Sequence, residues 1–287
     1  MNNYTESELY INENSYQYDN KDLVSSEKEN LNLLVEKLGK IAIIYKIVDG
    51  FLSIGSSDKK RLKKKLNKEI SNLRDSEIDK ETEYIDKLFF DKAKENYYMK
   101  CYLLSTYYTV DYRKISDKEI NEIINKEYLD KRYSERIKKN KQDVYDDINA
   151  LINQFLDGKI DINTIYSEVE KKYSINAYMS KRLVESEITR IQSDINDRFA
   201  EENGIEYQMY MATLDEHTCR KCAKDDGEVF RVDDKDKPKL PRHPFDRCCY
   251  VNLPDRNYKP KSRMDNKSKK IIDYKSYQEW YKEQNID

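Results

Sequence analysis

The 287-residue sequence contains little glycine and proline, six and five residues respectively. A β-sandwich or β-barrel needs a turn at about every tenth residue, so this scarcity argues against both architectures. The phosphate-binding motifs GxGxxG and GxxxxGK[ST] are absent, which argues against a doubly wound nucleotide-binding fold. Charged residues make up 38% of the chain, against about a quarter in ordinary domains. We therefore expect long helices with solvated faces.

Long apolar segments and an excess of one charge are also missing. The most apolar stretch, 41–48, is interrupted by Lys46 and is far shorter than a membrane-spanning helix. The net charge of −2 does not indicate a polycation that binds nucleic acid. The first ten residues lack the basic segment of a signal peptide, so we expect a cytoplasmic setting. In that setting the five cysteines bind metal or remain free thiols.

Helical periodicity begins at Leu31, and the preceding residues are mostly polar and acidic. The sequence therefore predicts an acidic flexible tail over 1–30 and a helical arm over 31–174. Within the arm, Ser116 and Glu119 have the spacing of a capping box at a helix start. The basic run 59–65 is interpreted as the solvated face of a helix, with a phosphate-contacting stripe as the alternative.

The periodicity changes after a last long helix that is predicted to end at Asn203-Gly204. Apolar residues alternate from 205 to 211, which predicts a strand. Asp226-Gly227 predicts a tight turn before a second strand at 228–232. The module of about fifty residues after Gly204 has little apolar content, so it cannot fold on its core alone and needs a cross-link.

Four of the five cysteines and both histidines lie in this module. Cys219 and Cys222 have the C-x2-C spacing that lets two thiolates reach one tetrahedral ion. His243 and Cys248 supply a second half-site, and three thiolates with one imidazole suit a structural Zn2+ ion. The predicted fold class is therefore mainly α: a long helical N-terminal region followed by a small C-terminal α+β zinc-stapled module.

Three nearby residues remain alternative ligands. His217 precedes the C-x2-C pair and either caps the knuckle or is exposed. Asp246 is a hard oxygen ligand and a poor match beside thiolates. Cys249 adjoins Cys248, and neighbouring residues on a strand point to opposite faces, so only one of the two faces the metal. A thioredoxin-like role for the C-x2-C pair would require a βαβ unit, which the pattern does not predict.

Three segments of this module carry a family resemblance: LDEHTCRKC at 214–222, DGEVF at 226–230 and PRHPFDRC at 241–248. Together they resemble the signature of phage head morphogenesis proteins, the minor head proteins typified by the phage Mu F protein. The resemblance covers about residues 175–254 and departs from the family pattern at Asp246, where members often have cysteine. It implies Cys219, Cys222, His243 and Cys248 as the metal ligands.

The resemblance implies a zinc-binding minor head (capsid) protein, associated with the portal and acting in head assembly and in packaged-DNA handling or ejection. The implied location is the virion, with the host cytoplasm during assembly. The implied partners are portal protein and other capsid proteins, without membrane contact before infection. Residues 175–254 would form the head-morphogenesis module with its zinc knuckle, and 255–287 a basic C-terminal tail. The excess of Lys and Arg over 256–275 leaves two interpretations open: non-specific contact with packaged DNA, or a soluble disordered end.

The scarcity of histidine argues against an enzyme. The rival reading is a treble-clef, HNH-type metal-dependent nuclease, which needs a general-base histidine beside a metal with open positions. With His243 in a structural site only His217 remains, and the sequence shows no partner for it. A serine or cysteine hydrolase fails for the same reason. A zinc-ribbon adaptor that binds nucleic acid is a further alternative. We therefore expect no catalytic residues and no enzymatic activity.

Overall fold

The computed structural model describes residues 4–14, 18, 21–107 and 113–284. These residues are mainly helical, with a small sheet region toward the C-terminus, which confirms the coarse fold prediction. The helices are α1 (Tyr4–Asn14), α2 (Lys21–Ile44), α3 (Ser56–Tyr107), α4 (Asp117–Ile124), α5 (Tyr133–Leu156), α6 (Ile162–Glu202), α7 (Arg220–Asp225) and α8 (Tyr277–Glu283). The strands are β1 (Lys46–Val48), β2 (Phe51–Ser53), β3 (Tyr207–Met211), β4 (Val229–Arg231), β5 (Cys249–Leu253), β6 (Ser262–Asp265) and β7 (Lys270–Asp273).

The described residues fall into two compact units that do not follow the predicted segments. The first unit draws on 1–18, 87–126 and 184–287, and the second on 19–86 and 127–183. The boundaries differ from the predicted ones because α3 and α6 are single helices of 52 and 41 residues that each supply residues to both units. Sequence periodicity marks the ends of helices and carries no signal for a boundary within one.

The second unit has a helical core in which the apolar face of α2 is buried. Leu34, Leu38 and Ile41 pack in one cluster with apolar residues of α3, α5 and α6. The face stops there because α2 ends at Ile44 and strand β1 begins at Lys46. Asp49 and Gly50, both at positive φ, form the turn of the β1–β2 hairpin. The basic run belongs to the start of α3, where Lys59 and Lys63 pair with Asp157.

The first unit contains a three-stranded antiparallel sheet in the order β4-β3-β5. Strand β3 lies within the predicted strand at 205–211, and β4 lies within 228–232. Gly227 adopts φ +84° two residues before β4, a conformation that favours glycine in the predicted turn. The Ser116–Glu119 capping box is present at the start of α4, as predicted.

The N-terminal residues that the sequence assigns to a flexible tail include an anchored helix. Glu8 of α1 is fully buried and pairs with the equally buried Lys100 of α3 at 2.6 Å. The same carboxylate accepts the backbone N–H of Asn252 in β5 at 2.7 Å. The sequence pattern misses this helix because its acidic side chain has partners about 90 and 240 residues away. Residues 1–3, 15–17 and 19–20 of the predicted tail lie outside the described residues.

The C-terminal segment predicted as a basic tail forms β6, β7 and α8. Arg263 of β6 is buried and pairs with Asp226 at 2.9 Å. Trp280 and Tyr277 of α8 pack against Leu214 in one apolar cluster. The basic residues of this segment suggested solvation, whereas Arg263 is neutralised by a buried carboxylate. Residues 285–287 lie outside the described residues.

Candidate metal centre

The first half of the candidate site is the knuckle between β3 and β4. Cys219 is the N-cap residue of α7, and its sulfur accepts the backbone N–H of Cys222 at 3.5 Å. The approach to the knuckle is fixed by Asp215, whose carboxylate accepts the backbone N–H of His217 at 2.9 Å. Because α7 begins directly after Cys219, one helical turn brings the Cys222 thiol to the same side as the Cys219 thiol.

The second half is the loop from Arg242 to Cys248 that leads into β5. The buried Asp246 carboxylate organises this loop by accepting the backbone N–H of Arg242 at 2.8 Å and that of Cys248 at 3.0 Å. Two side chains of helix α6 also bond to this loop. Ser186 Oγ accepts the backbone N–H of Phe245 at 3.3 Å, and the Thr189 hydroxyl donates to the carbonyl of Asp246. These four hydrogen bonds fix the shape of the loop.

The two halves converge on Cys222. The ligand atoms of Cys219, Cys222 and His243 all lie within 4.8 Å of one another, and those of Cys222, Asp246 and Cys248 do the same. The Cys222 sulfur is 3.6 Å from Nε2 of His243. Bonds of about 2.3 Å to sulfur and 2.0–2.1 Å to nitrogen in a tetrahedral zinc site place these atoms about 3.6 Å apart. The residues predicted as ligands are thus brought together in groups that can hold a metal ion.

The orientation of the His243 ring suits metal binding. Nδ1 lies 2.9 Å from the carbonyl oxygen of Pro244, which only a protonated Nδ1 can satisfy as a donor. That hydrogen bond assigns the neutral ring a lone pair on Nε2, the atom that faces Cys222. A ligating histidine commonly has its second nitrogen bound in this way, which fixes the ring and its tautomer.

The thiols of the site have unequal acidity. A hydrogen bond with Cys248 lowers the pKa of Cys222 to about 5, despite the opposing effect of burial. The same hydrogen bond, together with burial, raises the pKa of Cys248 well above its ordinary value. Cys222 therefore ionises more readily than Cys248. Metal binding requires both thiols to be deprotonated, so a bound cation would take the place of the proton on Cys248.

The alternative ligands lie elsewhere or have other roles. His217 is exposed and belongs to neither group of potential ligands. Cys249 packs with Leu9 and Val251, whereas Cys248 packs with Tyr210 and Cys222, so the two neighbours do face opposite ways. Asp246 stands beside Cys222 and Cys248, but both of its carboxylate oxygens accept backbone amides. Sequence reasoning had no signal for this loop-closing role.

Further ion pairs connect the halves of the site to their surroundings. Arg242 of the loop pairs with Asp225 at the end of α7 at 2.6 Å, so a salt bridge joins the two half-sites. Arg247 pairs with Asp215 next to the knuckle. All five cysteines of the chain are free thiols. Among the described residues, no helix is long and apolar enough to cross a membrane.

Comparison with known proteins gives one curated relative. The chain is 28% identical over 213 residues to a protein of Enterococcus faecalis named NAD(+)--arginine ADP-ribosyltransferase EFV. The match covers 66% of this chain and 42% of the relative, so the chain spans less than half the length of that protein. No family model matches the chain, and no solved structure matches it.

This relative contradicts the resemblance to phage head morphogenesis proteins and the minor head function inferred from it. Its name is that of an enzyme, so the expectation of a protein without enzymatic activity is corrected as well. The physical reason is that the three motif segments specify a loop and strand module whose cysteines and histidine could hold a metal ion, and one such module serves proteins of different function. The scarcity of histidine argues against hydrolases that depend on a histidine, whereas the relative is named for a transfer reaction. Contact with portal protein and a place in the virion rested on the same resemblance.

Proposed function

We propose that this chain binds one structural zinc ion through Cys219, Cys222, His243 and Cys248, as part of a protein related to the arginine ADP-ribosyltransferases. The observation that carries the zinc proposal is the convergence of the two half-sites on Cys222, with Nε2 of His243 3.6 Å from its sulfur. Cys248 is the fourth ligand because its thiol already contacts Cys222. Asp246 is a positioning residue that closes the loop.

The zinc ion would act as a cross-link in the first unit. Its four protein ligands leave no open position for a substrate, which is the arrangement of a structural site. The apolar cluster around Cys222 and Cys248 is small, with Tyr210, Ala212, Leu240 and Tyr250 as its other buried members. A zinc ion shared by the knuckle and the start of β5 would therefore cross-link two parts of the sheet region that such a small core stabilises only weakly.

The test is metal analysis of the full chain, prepared without chelator, together with two neighbouring variants. Wild type is expected to contain about one zinc ion per chain. Cys248→Ser removes a ligand and is expected to lose the metal, whereas Cys249→Ser, on the opposite face of β5, is expected to retain it. Cobalt substitution gives a second readout, because thiolate-to-metal charge-transfer bands report the number of sulfur ligands.

Two results would contradict the zinc proposal. Wild-type protein without zinc would remove it altogether. Loss of metal from Cys249→Ser with retention in Cys248→Ser would show that the other cysteine is the ligand. Fluorescence of Trp280, the single tryptophan of the chain, provides the control that each variant is folded.

A second candidate function is transfer of ADP-ribose from NAD+ to arginine by the chain itself. The name of the E. faecalis relative is the observation that favours it. The assay is incubation of the full chain with NAD+ and agmatine, a small guanidine acceptor, followed by measurement of nicotinamide release and of ADP-ribosyl-agmatine. Product formation that depends on the protein would establish the activity. Its absence, under conditions in which a known arginine ADP-ribosyltransferase is active, would exclude it for these residues.

A further inference from the structure

A buried group of charged side chains lies in the second unit, remote in sequence from the metal centre. The glutamate–lysine cluster consists of Glu27 of α2, Glu77 and Glu81 of α3, and Lys141 of α5. One oxygen of each carboxylate lies within 4.8 Å of the others. Lys141 Nζ contacts all three, at 3.0 Å from Glu27, 2.7 Å from Glu77 and 2.5 Å from Glu81. All four side chains are at least nine-tenths buried.

The charges of this cluster do not balance. Three ionised carboxylates against one ammonium leave a net charge of −2 in the interior of a helical unit. Buried charges without partners cost several kcal/mol, so such groups take up a proton instead. Two carboxylates that share a site normally hold a proton between them for this reason.

Hydrogen bonding in the cluster shows a matching shortage of donors. Asn176 of α6 donates its amide to Glu27 and Glu77, both at 2.9 Å, but its own Oδ1 atom has no hydrogen-bond partner in the described part of the chain. Asn176 is fully buried. Acceptors therefore outnumber donors here, and a bound proton would supply a further donor.

Glu27 accepts fewer hydrogen bonds in this cluster than Glu77 does. Glu77 accepts hydrogen bonds from Asn30 and Tyr145 in addition to Lys141 and Asn176. The Glu27 carboxylate has Lys141 and Asn176 as its donors. The titratable groups that face Glu27 from the helices packed against α2 are Glu77 and Glu81 of α3, Lys141 of α5 and Tyr173 of α6. Tyr145 of α5 bonds to Glu77 and Tyr173 behind them.

We propose that Glu27 carries a proton in this cluster in mildly acidic solution, and that loss of the proton as the pH rises through neutrality loosens α2 from α3, α5 and α6. Helix α2 is the element that responds because Glu27 is its contribution to the cluster. Its other core residues, Leu34, Leu38 and Ile41, lie two or more turns further along the helix. The inference concerns the second unit and is independent of the zinc proposal.

The electrostatics agree with this assignment. Burial raises the pKa of Glu27 from 4.5 to about 7, with Lys141 opposing the shift and Glu77 and Glu81 adding to it. Burial also disfavours ionisation of Glu77, but Lys141 and the hydrogen bonds of Tyr145 and Asn30 outweigh it and lower the pKa of that group. The two carboxyls therefore have separate roles: Glu77 stays ionised beside Lys141, and Glu27 titrates.

The sign of the pH dependence follows from linkage. The folded form binds the Glu27 proton more tightly than the unfolded form, so the stabilisation is complete below about pH 4.5 and is lost as the pH rises through about 7. With these two pKa values, the equilibrium constant for opening of α2 rises about 70-fold between about pH 5 and about pH 8.

Hydrogen exchange of the α2 amides in the full chain tests the proposal, with rates corrected for the intrinsic effect of pH. Wild type is expected to lose protection by the stated factor between pH 5 and pH 8. Glu27→Gln, which keeps the shape and cannot ionise, is expected to show no such loss. Glu29→Gln is the matched control, because Glu29 is an exposed residue of the same helix and its replacement is expected to leave the wild-type slope.

Carbon NMR of glutamate carboxyl groups gives a readout that does not depend on any variant. One carboxyl of the wild-type chain is expected to titrate near pH 7, and its signal is expected to disappear in Glu27→Gln. A wild-type chain without a glutamate that titrates above about pH 6 would overturn the proposal. So would an unchanged slope of protection in Glu27→Gln. Selective broadening of the cluster signals by Mn2+ would also overturn it, because a divalent cation would then balance the charge.

Discussion

Replacement of Arg263 by methionine tests whether the C-terminal segment from β6 to α8 is integral to the first unit. The Arg263 guanidinium contacts Asp226 at 2.9 and 3.2 Å, and both side chains are at most 1% exposed. Methionine fills similar space but removes the charge. The Asp226 carboxylate would keep the backbone N–H groups of Ala212 and Tyr277 as donors, each at 2.7 Å, and would lose its counter-ion.

Removal of one partner from a buried ion pair costs about 3–5 kcal/mol, because the remaining charge stays buried without compensation. With a denaturant dependence of about 2 kcal/mol/M, the urea midpoint of the first unit is expected to fall by about 1.5–2.5 M. The fluorescence of Trp280 is the probe, because this single tryptophan packs with Leu214 and Tyr277 next to the ion pair.

Arg231→Met is the matched control. Arg231 pairs with Asp233 at 2.9 Å, but both side chains are more than half exposed. Solvent screens such a pair, so its loss is expected to leave the midpoint unchanged. Equal midpoints for Arg263→Met and Arg231→Met would refute the reasoning, because they would show that the C-terminal segment does not depend on its buried anchor.

The alternative ligand and the turn before β4 provide two further tests. His217→Ala is expected to keep both the zinc content and the Trp280 unfolding midpoint, because the exposed ring lies outside the ligand groups; metal loss would instead make it a ligand. Gly227→Ala is expected to destabilise the first unit by about 1–2 kcal/mol, since φ is +84° and the new Cβ would lie 3.0 Å from the Tyr274 hydroxyl. Gly204→Ala, at φ +66° with open space around it, is expected to cost less in the same urea titration, and the opposite order would contradict the steric argument.

Features encoded by local spacing were predictable from the sequence. The capping box at Ser116 and the strand at β3 depend on residues within a few positions of each other, and both are present. The C-x2-C pair is also local, and the helix that starts at Cys219 places its two sulfurs together. Short-range patterns of this kind constrain the backbone directly, which is why they survive in the folded chain.

Features that depend on distant partners were not predictable. Glu8 and Arg263 belong to segments with the composition of solvated tails, and each is buried against a charge far away in sequence. Periodicity equally gave no sign that α3 would continue without a break through 52 residues. The function was inferred from the motif segments, which bring potential metal ligands together and leave open which protein uses them.

The docking of α1 has a consequence for the order in which the chain can complete its sheet. Strand β5 is an edge strand, and Glu8, Thr5 and Asn12 of α1 contact its backbone. An uncovered edge of apolar sequence such as CYVNL is a template for pairing with other chains. Because α1 is made first and β5 almost 240 residues later, the N-terminal helix is already available when the strand emerges during synthesis. The polar side chains of α1 can then bond to the backbone of β5 and protect the strand from pairing with other chains.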